Sequence, residues 1–141
     1  MNIFLDANVL VAILNKELPV YDDAVQVLSL ADRPGYRVFT SPLCMAIAWY
    51  FASKKSGSAL AKQKIALLNE RVFLSEHHQH DVGVVCQNRR INDVEDGLEY
   101  YSALRAGCRC IVSEDADDFH FSELPVFNCR GFLVNYFSRK S

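Results

Sequence analysis

Short apolar runs of three or four residues recur along the chain, and longer segments with helical spacing separate them. Apolar runs of this length are typical of strands buried on both faces of a parallel sheet, and the segments between them suit crossover helices. The alternation predicts an α/β fold with a mostly parallel central sheet and helices on both faces. Strands are predicted at residues 3–5, 37–40, 72–74, 110–112 and 125–127.

Helix-capping and helix-ending residues indicate where the helices between these strands begin and end. Ser41 before Pro42 is typical of a helix start, and Gly107 is placed to end a helix in the left-handed conformation. Asn92 or Asp93 caps the helix that leads to Gly107. Helices are predicted at residues 9–14, 22–33, 42–55, 58–71, 77–90 and 94–106, and a short C-terminal helix contains residues 132–137.

Length and composition are those of a globular protein. The 141 residues suit one domain, which we place at residues 1–141. Hydrophobic residues make up 50% and charged residues 23%, which argues against disorder. The formal net charge of −2 argues against a basic coat protein for nucleic acids, although a metal ion in a local groove can still bind a phosphodiester.

The sequence does not predict secretion or membrane insertion. Asp6 and Asn8 interrupt the apolar N-terminus, and the basic segment of a signal peptide does not precede it. No apolar run reaches the length of about 18 residues that a membrane span needs. The 5 cysteines form no C-x-x-C pair, which favours free buried thiols in a reducing compartment. We therefore expect a cytoplasmic protein.

Acidic residues follow two of the predicted strands. Asp6 comes directly after residues 3–5, and Asp115 comes shortly after residues 110–112. Ligands of open parallel sheets bind outside the carboxyl ends of the strands, so these two side chains converge if the strands are neighbours. Asp96 lies in the first turn of the next-to-last helix, and its place relative to the other two depends on the fold. Taken singly, each acid also fits a turn, a helix cap or a first-turn position.

A converging cluster of three or four carboxylates suits Mg²⁺ or Mn²⁺, because both ions prefer hard oxygen ligands. A bound ion of this kind lowers the pKa of a water molecule and neutralises charge on a phosphoryl group. The strand-end acids therefore favour phosphoryl chemistry, whereas the sequence contains no P-loop and no G-x-G-x-x-G motif for nucleotide binding.

Two further groups of side chains admit both a functional and a structural interpretation. Three histidines either bind a metal ion or form an exposed helix start; they are His77, His78 and His80, beside Glu76 and Asp81. Several basic residues either contact phosphates along a groove or lie on solvated helix faces; they are Lys54, Lys55, Lys62, Lys64, Arg71, Arg89 and Arg90.

Two segments carry a family resemblance. The opening MNIFLDANVLVAIL resembles the start of PIN-domain proteins, in which a strand is followed by Asp, a small residue, Asn or Ser, and an apolar helix. The segment INDVEDGLEYYSALRAGCRCIVSEDADDF is similar to that family's second signature: an acid at a helix start, A-L-x-A-G, an apolar strand and a closing Asp-Phe. The resemblance extends from Asn2 to about Phe137. Within the family, the chain resembles the toxin ribonucleases of VapBC-type toxin–antitoxin pairs.

The resemblance implies a three-layer α/β/α sandwich and a ribonuclease that depends on Mg²⁺ or Mn²⁺. It also implies RNA as the substrate, an antitoxin protein as a partner, and a homodimer. By position, Asp6, Asp96 and Asp115 match the catalytic, metal-binding acids, and Asp118 matches the Asp of the closing Asp-Phe, a further metal contributor. Asn8 matches the polar residue that supports the first Asp. Further supporting residues are expected at Ser41, Asp93 and Ser113.

One position departs from the family pattern. The family usually has a Glu on the helix after T-S-x-L, and Ile47 stands at that position here. Isoleucine cannot bind a metal ion, and residues 43–55 contain no acid, which leaves Glu76 or Asp93 to compensate. We expect an active nuclease with a reduced cluster. One alternative is a degenerate PIN domain that binds RNA or protein without cutting RNA. The other is a different α/β fold, such as a receiver domain, but the lysine that a receiver has after a late strand is missing from this sequence.

Overall fold

A parallel sheet of five strands forms the middle of the computed structural model, which describes residues 1–136. The strands are β1 (Asn2–Leu5), β2 (Arg37–Thr40), β3 (Phe73–Leu74), β4 (Cys110–Val112) and β5 (Val126–Phe127). Their order across the sheet is β3-β2-β1-β4-β5, and every neighbouring pair is parallel. All five lie where the sequence predicted strands.

Helices connect the strands and cover the sheet. They are α1 (Ala7–Leu14), α2 (Val20–Leu28), α3 (Pro42–Ser56), α4 (Ser58–Asn69), α5 (Gln79–Gln87), α6 (Val94–Arg105) and α7 (Cys129–Tyr136), with short 3₁₀ helices at Ser29–Asp32 and Ala116–Phe119. Helix α3 packs against α1 and α4, α2 against α7, and α5 against α6. The fold is a three-layer α/β/α sandwich, so the predicted fold class is confirmed.

The strand order brings the ends of β1 and β4 together. From β1 the chain crosses to β2 on one side and later returns to β4 on the other, so β1 and β4 flank a topological switch point. Leu5 pairs with Val112, and the Asp6 backbone N–H donates a hydrogen bond to the Val112 carbonyl at 3.0 Å. Asp6 and Ser113 therefore leave the sheet side by side at its carboxyl edge.

Strand β1 is held rigidly because both of its faces are buried. Successive strand side chains point to opposite faces, so the fully buried Ile3 and Phe4 pack into different layers of the core. Ile111 of β4 and Phe132 of α7 are also fully buried. Close packing of this kind fixes the backbone position from which Asp6 projects.

Acidic and hydroxyl side chains cap three of the helices. Asp6 Oδ1 accepts the first backbone N–H of α1 at 2.7 Å, so α1 begins two residues earlier than predicted. Ser41 Oγ accepts the Cys44 N–H at 3.0 Å and starts α3, as predicted. Asp93 caps α6 by accepting the Glu95 N–H at 2.8 Å. The capping predicted for Ser41 and Asp93 is confirmed.

Several helix ends differ from the predicted bounds. Helix α5 is shorter than residues 77–90, because the flanking His78 and Asn88 have extended backbone dihedrals. Helix α2 ends at Leu28, and a 3₁₀ helix continues only to Asp32. Gly107 follows α6 with a φ of 70°, which agrees with its predicted role. The predicted helical placement of Phe137 lies outside the described residues.

Neither a membrane span nor a disulfide bond is found within residues 1–136. None of the helices there combines the length and the apolar character that crossing a membrane requires. The cysteines are free thiols, and all except Cys86 are buried. The prediction of unpaired thiols is confirmed.

Close packing of α6 on α5 depends on a glycine beside Asp96. A Cβ atom at Gly97 would lie 2.6 Å from Val85 Cγ1 and 2.9 Å from Ile91 Cγ2. Val85 is β-branched and fixed within a helix, so it cannot easily move away. Overpacking costs about 1–3 kcal/mol, whereas alanine gains only about 1 kcal/mol over glycine inside a helix. We expect Gly97→Ala to lower the free energy of unfolding, measured by urea denaturation.

Gly83 in α5 offers a matched control. A Cβ atom there meets nothing within 4 Å. Gly83→Ala should therefore stabilise the protein by about 0.5–1 kcal/mol through helix propensity alone. Equal stabilisation by both substitutions would contradict the packing role of Gly97.

Candidate metal centre and active site

The carboxyl group of Asp6 lies at the carboxyl edge of the sheet, with only 7% of the residue exposed. One oxygen caps α1, and the other, Oδ2, accepts a hydrogen bond from Ser113 Oγ at 2.8 Å. Burial raises the pKa of Asp6, and the hydrogen bonds from Ser113 and Ala7 lower it by less. A nearby cation would favour the ionised form of this group.

Asn8 and Ser113 join Asp6 to Asp115. Asn8 Nδ2 lies 3.4 Å from Asp6 Oδ2, 3.1 Å from Ser113 Oγ and 3.2 Å from Asp115 Oδ2. The Asp115 N–H donates to Ser113 Oγ at 3.1 Å, and Asn8 Oδ1 accepts the Glu114 N–H at 3.0 Å. The loop after β4 is thereby tied to the first turn of α1. Two of the predicted supporting residues thus contact both strand-end acids.

Helix α6 brings a third acid to the same edge. The chain leaves α6 through Gly107 and enters β4 at its amino end, so α6 begins at the carboxyl edge of the sheet. The structure therefore decides what the sequence left open: Asp96 lines the same cavity as Asp6 and Asp115. Burial, followed by the neighbouring charges of Asp93 and Asp6, raises the pKa of Asp96 to about 7.

The cavity has a volume of about 420 Å³ and an acidic wall. Besides Asp6 and Asp96, its acidic lining residues are Glu17, Asp93, Glu95, Asp115 and Asp118. Apolar side chains of α1 and α3 complete it, namely Val11, Ile47 and Phe51. No described lysine, arginine or histidine lines this cavity. Concentrated negative charge of this kind is relieved by protonation or by a bound cation.

Glu99 is a buried acid that the sequence analysis missed. It lies one helical turn after Asp96, and the residue is fully buried. Its Oε1 accepts a hydrogen bond from Ser41 Oγ at 2.8 Å, its Oε2 accepts one from Cys44 Sγ, and one of its oxygens lies within 4.8 Å of an oxygen of Asp6. Burial, followed by the charge of Asp6, raises the pKa of Glu99 to about 8. The signal in the sequence was the three-residue spacing from Asp96, which places both acids on one helix face.

The donor atoms present fit a hard divalent cation. Carboxylate oxygens are the ligands that Mg²⁺ and Mn²⁺ prefer, and Asp6, Asp96 and Asp115 present them to one cavity. The ligand atoms of Asp6, Cys44 and Glu99 also lie within 4.8 Å of one another. Burial raises the pKa of Cys44 well above its ordinary value, so its sulfur stays a thiol and does not suit these ions. Asp118 lies on the cavity wall beside the three acids.

Other predicted candidates lie outside the cavity. Among residues 1–136, the three histidines form no cluster of converging ligand atoms, and His78 Nε2 pairs with Glu76 at 3.0 Å. None of the predicted basic residues lines the acidic cavity. Lys55 and Lys64 donate to backbone carbonyls at the end of α1, and Arg71 pairs with Asp32. Glu76 does not line the cavity, so it does not take the place of the acid that is missing at position 47. Arg90 lies 3.5 Å from the carbonyl of His120.

Two of the solved structures with the same fold are VapBC structures. A chain of VapBC2 from Rickettsia felis, bound to a DNA fragment from their promoter, matches with a TM-score of 0.70 and 18% identity, over 91% of this chain and 98% of that one. A chain of VapBC-1 from nontypeable Haemophilus influenzae matches with a TM-score of 0.70 and 17% identity, over 92% of this chain and 99% of that one. At these identities the likeness shows the fold.

The sequence itself is similar to a curated ribonuclease and to a family model. Ribonuclease VapC1 of Aquifex aeolicus is 23% identical over 137 residues, which are 95% of this chain and 94% of that protein. The family model described as PIN domain matches residues 2–117, a range that includes Asp6, Asp96 and Asp115. The chain therefore belongs to the PIN-domain family.

Proposed function

We propose that this protein is a divalent-metal-dependent endoribonuclease of toxin–antitoxin type. The observation that carries the proposal is the convergence of Asp6, Asp96 and Asp115, from three separate elements, on one acidic cavity. Structural ion pairs do not account for this cluster, because no described basic side chain lines the cavity. Membership of the PIN-domain family and the similarity to a VapC1 ribonuclease support the same function.

In this mechanism the acids would hold Mg²⁺ or Mn²⁺, with Asp6, Asp96 and Asp115 as the principal ligands and Asp118 as a further contributor. A bound ion supplies Lewis-acid stabilisation of phosphoryl charge and lowers the pKa of a water molecule. Asn8 and Ser113 orient the carboxyl groups of Asp6 and Asp115 through the hydrogen bonds described above. Supporting contacts of this kind fix ligand orientation and raise affinity.

The acidic wall also determines how RNA can bind. A phosphodiester is repelled by a cavity lined with carboxylates unless a cation neutralises them. A cation would therefore be needed for substrate binding as well as for the chemistry. Phe51 lies on the cavity wall with 47% of its surface exposed, where an unpaired base can stack on its ring. This favours single-stranded RNA as the substrate.

The proposal includes an antitoxin partner and a homodimer in the cytoplasm. The two solved relatives above are named as VapBC complexes, which supports an antitoxin for this chain. Helices α3 and α4 carry exposed apolar side chains that a protein partner could cover, namely Tyr50, Phe51, Leu60 and Leu67. Contiguous exposed apolar surface is typical of interaction sites.

One observation favours a second candidate function. Ile47 lies on the wall of the cavity, at the position where the resemblance implies a metal-binding Glu. A weaker cation site would leave a PIN domain that binds RNA or protein without cutting it. The two candidate functions differ in whether the protein cleaves RNA when a metal ion is present.

Cleavage of a mixed RNA pool by purified, antitoxin-free protein tests the proposal. We expect cleavage with Mn²⁺ or Mg²⁺ and a loss of at least about 100-fold when a chelator removes the ion, because the cavity then repels the phosphodiester. Readdition of Mn²⁺ after chelation is the control for irreversible damage. Folded protein that cleaves nothing under any metal condition would support the binding-module candidate instead.

A further inference from the structure

The cavity at the carboxyl edge of the sheet has two chemically different sides. Most of its acids come from the end of β1, the loop after β4 and the beginning of α6. The apolar side chains of Val11, Ile47 and Phe51 come from α1 and α3, two helices that pack against each other. Ile47 and Phe51 are four residues apart and share one face of α3. We call these three side chains the apolar strip.

The proposed metal chemistry does not account for the apolar strip, because hard cations bind oxygen atoms. Val11 and Ile47 are partly buried, whereas Phe51 is 47% exposed. The Phe51 ring packs on that of Tyr50, with 5.3 Å between the ring centroids and an angle of 83° between the planes. Aromatic surface that faces water is stabilised when a ligand covers it. The strip therefore points to a ligand with an apolar part.

The size and the two sides of the cavity indicate what this ligand is. A volume of about 420 Å³ lies in the range of pockets that hold small ligands, so one unit of a larger molecule fits into it. A nucleotide of RNA has the two parts that the sides require, a phosphate for a bound cation and a flat base for an apolar wall. Both sides belong to one cavity, so a single nucleotide can contact both.

We propose that Val11, Ile47 and Phe51 form a base subsite, which binds the unpaired nucleobase next to the phosphate at the proposed metal centre. The inference deepens the proposed function and rests on it, because the metal centre fixes where the phosphate lies. Ile47 is then a residue that shapes substrate binding instead of a lost metal ligand. A glutamate at this position would put a charge against the base.

The subsite contacts the face of the base and not its edge. The side chains of Val11, Ile47 and Phe51 have no hydrogen-bond donors or acceptors, so they cannot read the polar groups of a base. Stacking on an aromatic ring accepts every base, since each has a π-face. The subsite should therefore add affinity for single-stranded RNA without selecting a sequence.

Two probes isolate the contribution of the bases. One is decauridine, and the other is a ten-residue backbone with a stable abasic analogue at every position, so neither can avoid the subsite by sliding. Stopped-flow fluorescence anisotropy of antitoxin-free protein in saturating Mn²⁺ gives both Kd values before cleavage proceeds. The ratio of the two values measures base binding, because effects on the phosphates cancel. Wild type should bind decauridine about 5–150-fold more tightly, as expected for one base stacked on an aromatic ring.

Phe51→Ala should remove most of this preference by weakening the binding of decauridine and leaving that of the abasic probe unchanged. Ile47→Glu should lower the ratio at least about threefold, because the base loses an apolar contact. This variant is decisive on its own if Phe51→Ala does not fold. Phe73→Ala is the matched control: Phe73 is 54% exposed on β3, outside the cavity, so the ratio should stay within about twofold of wild type.

The outcomes separate this inference from the proposed function. Wild type that cleaves the RNA pool but binds both probes equally would contradict the base subsite and leave the nuclease standing. An unchanged ratio in Phe51→Ala and Ile47→Glu would mean that the bases bind elsewhere and that the strip serves another ligand, such as a protein partner. A ratio that falls in both variants, in a protein that cleaves no RNA, would support the subsite and contradict the nuclease.

Discussion

Asp6→Asn is expected to remove metal-dependent RNA cleavage while leaving the fold intact. Asparagine retains an oxygen that can cap α1, so the hydrogen bond made by Asp6 Oδ1 at 2.7 Å is preserved. It loses the negative charge at the centre of the proposed cation site. We expect a fall of at least about 100-fold in the single-turnover cleavage rate, more than is typical for a residue that only orients a ligand.

Asp22→Asn is the matched control for this substitution. Asp22 lies exposed in the first turn of α2, outside the cavity, so its replacement should leave both the rate and the Mn²⁺ affinity unchanged. The melting temperature of Asp6→Asn without metal checks that the fold survives, because the amide keeps the cap on α1 but puts an N–H donor where Oδ2 accepts from Ser113 Oγ. Cleavage at the wild-type rate by Asp6→Asn would exclude Asp6 as a metal ligand.

Ile47→Glu is expected to raise Mn²⁺ affinity by at least about tenfold, because it adds a carboxylate to the cavity wall at the position where the family usually has one. The same charge should lower the stability of the metal-free protein, since the cavity is already acidic. Calorimetry with Mn²⁺ and thermal melting measure the two effects. Leu60→Glu, which adds an acid on the exposed face of α4, is the control and should change neither.

The cleavage assay on Ile47→Glu then distinguishes the two candidate functions. If wild type is inactive and Ile47→Glu cleaves RNA, the chain is a degenerate nuclease whose loss traces to this position. If wild type already cleaves, a small change in rate means that Asp6, Asp96 and Asp115 suffice. Unchanged Mn²⁺ affinity would contradict the assignment of the cavity as the cation site.

Much of the architecture could be predicted because it depends on local sequence. The buried strands are short apolar runs, and the helices around them begin at Ser41 and Asp93, whose side chains cap the first turn. Helix ends were less predictable, as α5 shows, since the polar residues on either side of Gln79–Gln87 fit a helix as well as a loop. The interpretation of Asp6 as a helix cap is confirmed, and the same residue also lines the cavity; its role as a metal ligand stays a prediction.

The sequence alone determined the α/β class, the strand-end positions of Asp6 and Asp115, and the resemblance that led to the PIN-domain family. Only the tertiary structure decided that Asp96 joins them, because the direction of α6 relative to β4 sets which edge of the sheet its first turn reaches. It also decided that Glu99 is buried against Asp6. In the sequence this residue is one more acid on a polar helix, and its burial exists only once α6 packs beside Ser41 of α3. The local sequence pattern indicates which helix or strand a segment can form, whereas contacts between distant residues depend on how the helices and strands pack.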